Sequence, residues 1–250
     1  MNNSCTTNLF ISAMYDLYPE ESGTSRSIDF RIRHLAKLME CDIDLVLYTS
    51  PSLTGSLPPP GLRTRIVPLP LENLRTFSSL SARHDALPPT DKPAKDTREF
   101  LALMHCKVEL LNRAATLWPD FHSHIWIDGN IFKVLSRTTE AMRHVERIGM
   151  ERFPQKVVAP AGRAPRLAIS GFPPPAVYWR FLGGLFVVPS ALQNQFNELY
   201  QFMLDQITMR GLATWEVNVL AMIEAVRPDL FELVPADHDM SMVSFSSSAT

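Results

Sequence analysis

At 250 residues the chain has room for one large α/β domain or two small ones. Hydrophobic residues make up 46% and charged residues 20%, the proportions of a globular protein with a sizeable core. A net charge of −2 with no long basic block argues against a protein built for unspecific nucleic-acid binding. Cys5, Cys41 and Cys106 are scattered, with neither zinc spacing nor a disulfide framework, which fits a reducing compartment. The N-terminus lacks a basic region followed by a long apolar run, and no stretch approaches the ~18 apolar residues of a membrane span. A cytoplasmic protein with no transmembrane segment and no nucleic-acid partner is therefore expected.

Residues 8–14 (Asn-Leu-Phe-Ile-Ser-Ala-Met) read as a first buried strand. A loop over 15–25 follows, with Pro19 and Gly23 as breakers. Over 28–39 the apolar residues Ile28, Ile32, Leu35 and Leu38 recur at helical spacing. Residues 43–48 form a second strand, apolar nearly throughout as a strand covered on both faces is, and 63–69 a third. Strand, helix, strand in this order predicts a βαβ unit and a parallel sheet. Residues 73–94 show little periodicity and read as a long loop, either a lid or binding loop or a disordered one.

The strongest helix runs over 97–118, with Phe100, Met104, Val108, Leu111, Ala115 and Trp118 in one stripe. Lys107 falls on the margin of that stripe and Arg113 opposite it. A lysine there either lays its stem on the core and snorkels out or presents its ammonium to a site as an anion ligand. Pro119 stops the helix, and His124-Ile125-Trp126-Ile127 reads as a short apolar strand ending in Asp128-Gly129-Asn130. In open α/β sheets ligands sit beyond the carboxyl ends of strands, and Asp128 and Asn130 both offer oxygen ligands suited to a hard divalent cation. The other reading of the same residues is an Asx-turn.

Residues 136–148 read as an amphipathic helix, 153–165 as proline-rich and irregular, and 167–172 as a further strand candidate. The run 177–188 places Trp179 and the adjacent Gly183-Gly184 before a strongly apolar strand. Paired glycines there mark a close approach to the backbone, by packing or by a ligand. A long helix over 190–211 ends at Gly211, and Thr214 caps another over 214–226 with Glu216 in its first turn, where the helix dipole favours a carboxylate. Residues 231–234 suit a last edge strand, and 246–250 a frayed serine-rich tail after one domain spanning 1–245.

The order of these pieces resembles the HtrL/YibB-like glycosyltransferase family, within the A-type nucleotide-diphospho-sugar transferase fold. The resemblance rests on Phe10-Ile11-Ser12-Ala13-Met14-Tyr15-Asp16, on Tyr48-Thr49, on 106–114 followed by Trp126-Ile127-Asp128-Gly129-Asn130, and on Gly183-Gly184-Leu185-Phe186 with 214–220. Many A-type transferases carry Asp-x-Asp at the metal turn, where this chain has an amide at Asn130, and Trp215 stands where a second acid is common. The resemblance implies a single-domain Rossmann-like α/β fold with a mostly parallel sheet flanked by helices. It implies a nucleotide-sugar donor, a glycan, lipid or protein acceptor, and a divalent cation, manganese or magnesium, at Asp128 and Asn130. Glu216 and Asp128 would be catalytic, Glu216 as the acceptor's positioning group or general base. Ser12, Ala13, Tyr15 and Thr49 would hold the base and ribose, Lys107 the diphosphate, and Trp179, Gly183 and Gly184 the sugar side. A non-catalytic sugar-nucleotide or partner-binding protein on the same fold is the alternative, and a Rossmann-like methyltransferase is a third class, disfavoured by the absence of a glycine-rich turn after the first strand.

Overall fold

Seven strands form one mixed sheet in the order β3-β2-β1-β4-β6-β5-β7 in the computed structural model, which describes residues 7–18, 27–83, 86–168 and 173–244. The strands are β1 (Asn8–Met14), β2 (Asp44–Thr49), β3 (Thr64–Pro68), β4 (Ser123–Ile127), β5 (Val157–Ala161), β6 (Leu185–Pro189) and β7 (Phe231–Pro235). β3, β2, β1 and β4 run parallel, β6 runs antiparallel to both β4 and β5, and β7 pairs parallel with β5. The helices are α1 (Ile28–Met39), α2 (Arg75–Ser81), α3 (Arg98–Leu117), α4 (Thr138–Met150), α5 (Gln193–Thr208) and α6 (Glu216–Val226). The protein is thus a Rossmann-like α/β domain, and no helix among the described residues is long and apolar enough to cross a membrane.

The pleat accounts for the layering. Successive side chains of a strand point to opposite faces, and here both faces are apolar. Leu9, Ile11, Val46, Tyr48, Trp126 and Phe186 join a core formed with α3, α5 and α6. Phe10, Met14, Leu45, Leu47, Ile125 and Leu185 join a second core formed with α1 and α4. Burial on both faces is why these strands read as unbroken apolar runs.

Three elements differ from expectation. Within 73–94 the chain forms α2, whose N-terminal neighbour Leu74 offers no capping side chain. The Glu109 carboxylate on α3 accepts from the Arg75 and Thr76 N–H groups instead, at 3.0 and 2.9 Å, so the cap comes from a distant residue. Within 153–165 the chain forms β5 despite Pro160. The Pro160 carbonyl accepts from the Leu182 N–H outside any ladder, and β5 pairs with β6 only at Val158, so the proline faces the sparsely bonded side. The buried side of α3 includes Cys106, Lys107, Leu110 and Ala114, while Phe100 and Met104 are only half-buried. A helix covered by the sheet on one side and by α2 and α5 on the other has a wider apolar arc than a single stripe. Of the segment 167–172, residues 169–172 lie outside the described residues, as do 246–250.

Candidate functional site

The chain leaves β1 toward β2 on one side and returns through β4 on the other, so the sheet order reverses between β1 and β4. A crevice beyond the carboxyl ends of the strands is expected at such a point. Asp128 is the first residue after β4, and Ala13 and Met14 end β1. The Asp128 N–H donates to the Gly184 carbonyl at 2.8 Å, fixing the turn to the approach of β6.

Four groups converge on Lys107, whose side chain comes from the middle of α3 and is only 2% exposed. Its ammonium donates to the Gly183 carbonyl at 2.8 Å and to Glu216 Oε1 at 2.9 Å, and lies 3.3 Å from Asp128 Oδ1. It also sits 5.6 Å from the centre of the Trp126 ring. The ammonium is thus hydrogen-bonded twice within the protein and ion-paired with Asp128. At 2% exposure Lys107 does not snorkel, which corrects that expectation, and its side chain lines the crevice. Burial alone would lower its pKa, but the Asp128 and Glu216 charges outweigh that and hold it above the ordinary lysine range. Burial alone would raise Glu216, but the Lys107 charge and hydrogen bond outweigh that and hold its carboxyl below the ordinary range. Both groups are ionised at neutral pH, and a carboxylate so held is a weak general base.

Asp128 is placed differently. Its Oδ1 accepts from Trp126 Nε1 at 2.8 Å and faces Lys107, while its side chain keeps 32% exposure. Among the described residues no hydrogen bond reaches its second oxygen.

The glycine pair is spaced for packing by the protein itself. A Cβ at Gly183 would meet Glu216 Oε1 at 2.5 Å, and one at Gly184 would meet Ile131 Cδ1 and Met242 Cε at 3.0 Å. Helix α6 starts at Glu216, two residues later than expected, with Trp215 rather than Thr214 as its flanking residue. Thr214 is used otherwise. Its hydroxyl accepts from Asn218 Nδ2 at 2.9 Å and its carbonyl faces His105 Nε2 at 3.0 Å. Because a carbonyl only accepts, His105 carries its neutral proton on Nε2 and its Nδ1 accepts from the Tyr200 hydroxyl at 2.7 Å. Burial pushes the His105 pKa down, consistent with that neutral state. Asn218 also binds Tyr178 N and Ala176 O, at 2.7 and 3.0 Å, and so holds the segment that leads to Trp179.

These residues floor a cleft of two lobes. One, of about 640 Å³, lies over the end of β1 and is lined by Ala13, Met14 and Arg31. The other, of about 610 Å³, lies over α6 and is lined by Glu216, Gly183, Gly184 and Trp179. Asp128, Asn130, Lys92, Lys95 and Lys133 line both, so they lie where the lobes meet. Trp179 is half exposed and packs edge-on against His238, with ring centres 4.8 Å apart.

Eight expected site residues are thus brought to one cleft: Ala13, Lys107, Asp128, Asn130, Trp179, Gly183, Gly184 and Glu216. Three are not. The buried Tyr15 hydroxyl donates to the Leu69 carbonyl at 2.9 Å, and the buried Thr49 hydroxyl donates to the Met14 carbonyl at 2.8 Å. Both brace the end of β1 from behind. Ser12 is fully buried, its oxygen without a hydrogen-bond partner among the described residues, behind Gly129. At the end of β1 it is Ala13 and Met14, not Ser12, that line the cleft. Arg31, Lys92, Lys95, Lys133, His105 and His238 carried no motif and were not expected.

A cation at Asp128 and Asn130 would find one free carboxylate oxygen and one amide. Among the described residues no group of three His, Cys, Asp or Glu side chains could hold a metal ion. The pair fits the protein's minor share of a magnesium-type shell, completed by phosphate oxygens and water.

No protein-family model matches the chain, and a search of curated proteins finds no match. The resemblance to the HtrL/YibB-like transferases rests on the motifs quoted above.

Proposed function

We propose that the protein is a glycosyltransferase of the A-type nucleotide-sugar class, moving a sugar from a nucleotide-diphosphate donor to an acceptor hydroxyl. The observation that carries this reading is the Asp128–Lys107–Glu216 cluster at the reversal point of a Rossmann-like sheet, on the floor of a cleft with lobes of about 640 and 610 Å³.

In this reading the nucleotide lies in the β1 lobe and the sugar in the α6 lobe. Asp128 touches the ligand with its free oxygen, while Trp126 and Lys107 fix the other. Glu216 is a positioning residue. It holds Lys107, and through Lys107 it orients Asp128 and the Gly183 carbonyl. Trp179 offers an aromatic face or edge to the sugar. A divalent cation bound at Asp128 and Asn130 would supply charge neutralisation for the departing diphosphate. The free, buried thiols of Cys41 and Cys106 suit the reducing, cytoplasmic setting proposed with this activity.

A second reading, a nucleotide-sugar-binding protein without turnover, is favoured by one observation. Lys107 and Glu216 pair with each other, and Asp128 is the partly exposed acid of the cluster. The test is a panel of nucleotide sugars incubated with the protein in excess buffer, with and without manganese. The transferase reading expects slow release of nucleoside diphosphate, lost in Asp128→Asn. Binding without release in wild type supports the second reading.

A further inference from the structure

We propose that the phosphates of the ligand rest on Lys92, Lys133 and Arg31, at the junction of the lobes, and not on the lysine of the central helix. The proposal deepens the nucleotide-sugar reading, since the ligand class it names is a nucleoside diphosphate.

The first ground is the pairing of the expected donor. The Lys107 ammonium is hydrogen-bonded to Gly183 and Glu216 and ion-paired with Asp128, with two carboxylates offsetting its charge, so other cations are the better partners for a diphosphate. The second ground is the charge of the cleft walls. The β1 lobe is lined by Arg31, Lys92, Lys95 and Lys133 against Asp128 alone among carboxylates. The α6 lobe has Asp91, Asp96 and Glu216 in addition. A polyanion is therefore drawn to the junction and toward β1, and the uncharged end of the ligand is left for the α6 side.

The third ground is the state of each cation. Lys95 is already paired, 3.3 Å from Asp96 and 4.7 Å from the centre of the Phe100 ring. Lys92 and Lys133 come from different segments, the stretch before α3 and the short 3-10 helix Ile131–Lys133 that follows the Asp128 turn. Both are exposed, and neither pairs with a carboxylate among the described residues, although the Lys133 ammonium lies 5.8 Å from the centre of the Phe30 ring. Arg31, on α1, spends one N–H on the Tyr15 carbonyl at 2.8 Å. A guanidinium has five N–H groups in a planar fork that matches phosphate oxygens. Lys92, Lys133 and Arg31, the last also within reach of the Asp16 and Asp128 charges, come from three segments and face one cleft, where they repel one another, and a diphosphate relieves that repulsion with charge-assisted hydrogen bonds.

Calorimetric titration of the full chain in EDTA with inorganic pyrophosphate, and separately with the diphosphates of uridine, adenosine, guanosine and cytidine, tests this. The variants are Lys92→Ala with Lys133→Ala, and Lys95→Ala as the paired-lysine control. Because Lys92 and Lys133 are exposed, the double variant should keep the wild-type melting curve. It should bind pyrophosphate at least about tenfold more weakly, roughly the worth of one charge-assisted hydrogen bond, with Lys95→Ala changed much less. Wild-type affinity should also fall as salt is raised. Pyrophosphate affinity within about twofold of wild type in the double variant, or no pyrophosphate binding by wild type, overturns the proposal. If pyrophosphate binds through the two lysines but none of the nucleoside diphosphates binds more tightly than it does, the anion site stands and the nucleotide-sugar reading falls.

Discussion

Lys107 holds two carboxylates and a carbonyl in one buried cluster, and its removal leaves Glu216 charged and unpaired. Breaking a buried pair by deleting one partner costs about 3–5 kcal/mol, so Lys107→Met is expected to melt well below wild type, as read by circular dichroism. The acid dependence follows from Glu216. Its folded pKa is depressed, so the stability it contributes is present above the unfolded carboxylate value of about 4.3 and is lost as pH falls through the lower folded value. Glu216→Gln should therefore be clearly less stable than wild type at pH 7, with the gap closing below about pH 4. A gap that is constant with pH would mean the carboxylate is not ionised in the cluster. Gly183 is the third residue-scale case. A Cβ there would stand 2.5 Å from Glu216 Oε1, so Gly183→Ala should cost on the order of 1–3 kcal/mol of overpacking and displace Glu216 from Lys107. A melting temperature equal to wild type would show that the close approach is easily relieved.

At the scale of elements, α2 shows how much of the chain depends on partners far away in sequence. Its first N–H groups are capped by Glu109, and losing an N-terminal cap costs about 0.5–2 kcal/mol. Glu109→Ala should raise amide exchange over 75–81 while leaving β1 and β4 protected, and unchanged exchange there would reject the cap. The same dependence explains what could be read in advance. β1 and α1 were legible to the residue because their signals are local: an unbroken apolar run, and helical spacing after Ser27, which accepts from the Phe30 N–H. α3 was legible through the apolar spacing over 97–118 and the stop at Pro119, and Thr97 proves to be its N-cap. α2 was not, because its cap is supplied by another helix, and β5 was not, because Pro160 reads as a breaker until its pairing is known. At the site, Asp128 and Glu216 could be picked out because a strand end and a helix start are visible in sequence. Arg31, Lys92 and Lys133 could not, because only the packing of α1 and the turn after β4 brings them to one cleft.

For the whole molecule, the arrangement of charge over the cleft matters more than any single side chain. The strands near Phe10, Leu45, Ile127 and Phe186 lie side by side as β2-β1-β4-β6, and the two-lobed cleft at the end of β4 is lined by Asp128, by the buried Lys107–Glu216 pair and by Arg31, Lys92, Lys95 and Lys133. A ligand that binds only the folded state at ~100 times its dissociation constant adds about 2.7 kcal/mol, a rise of roughly 5–10 °C in melting temperature for a chain of this size. The central claim is that this opening takes a nucleotide sugar against Asp128. The measurement that tests it most directly is the melting temperature of wild type and Asp128→Ala across a panel of nucleotide sugars with manganese. The account predicts a rise of that size for at least one nucleotide sugar in wild type and its loss in Asp128→Ala. No rise for any member of the panel, or an equal rise in Asp128→Ala, would contradict it.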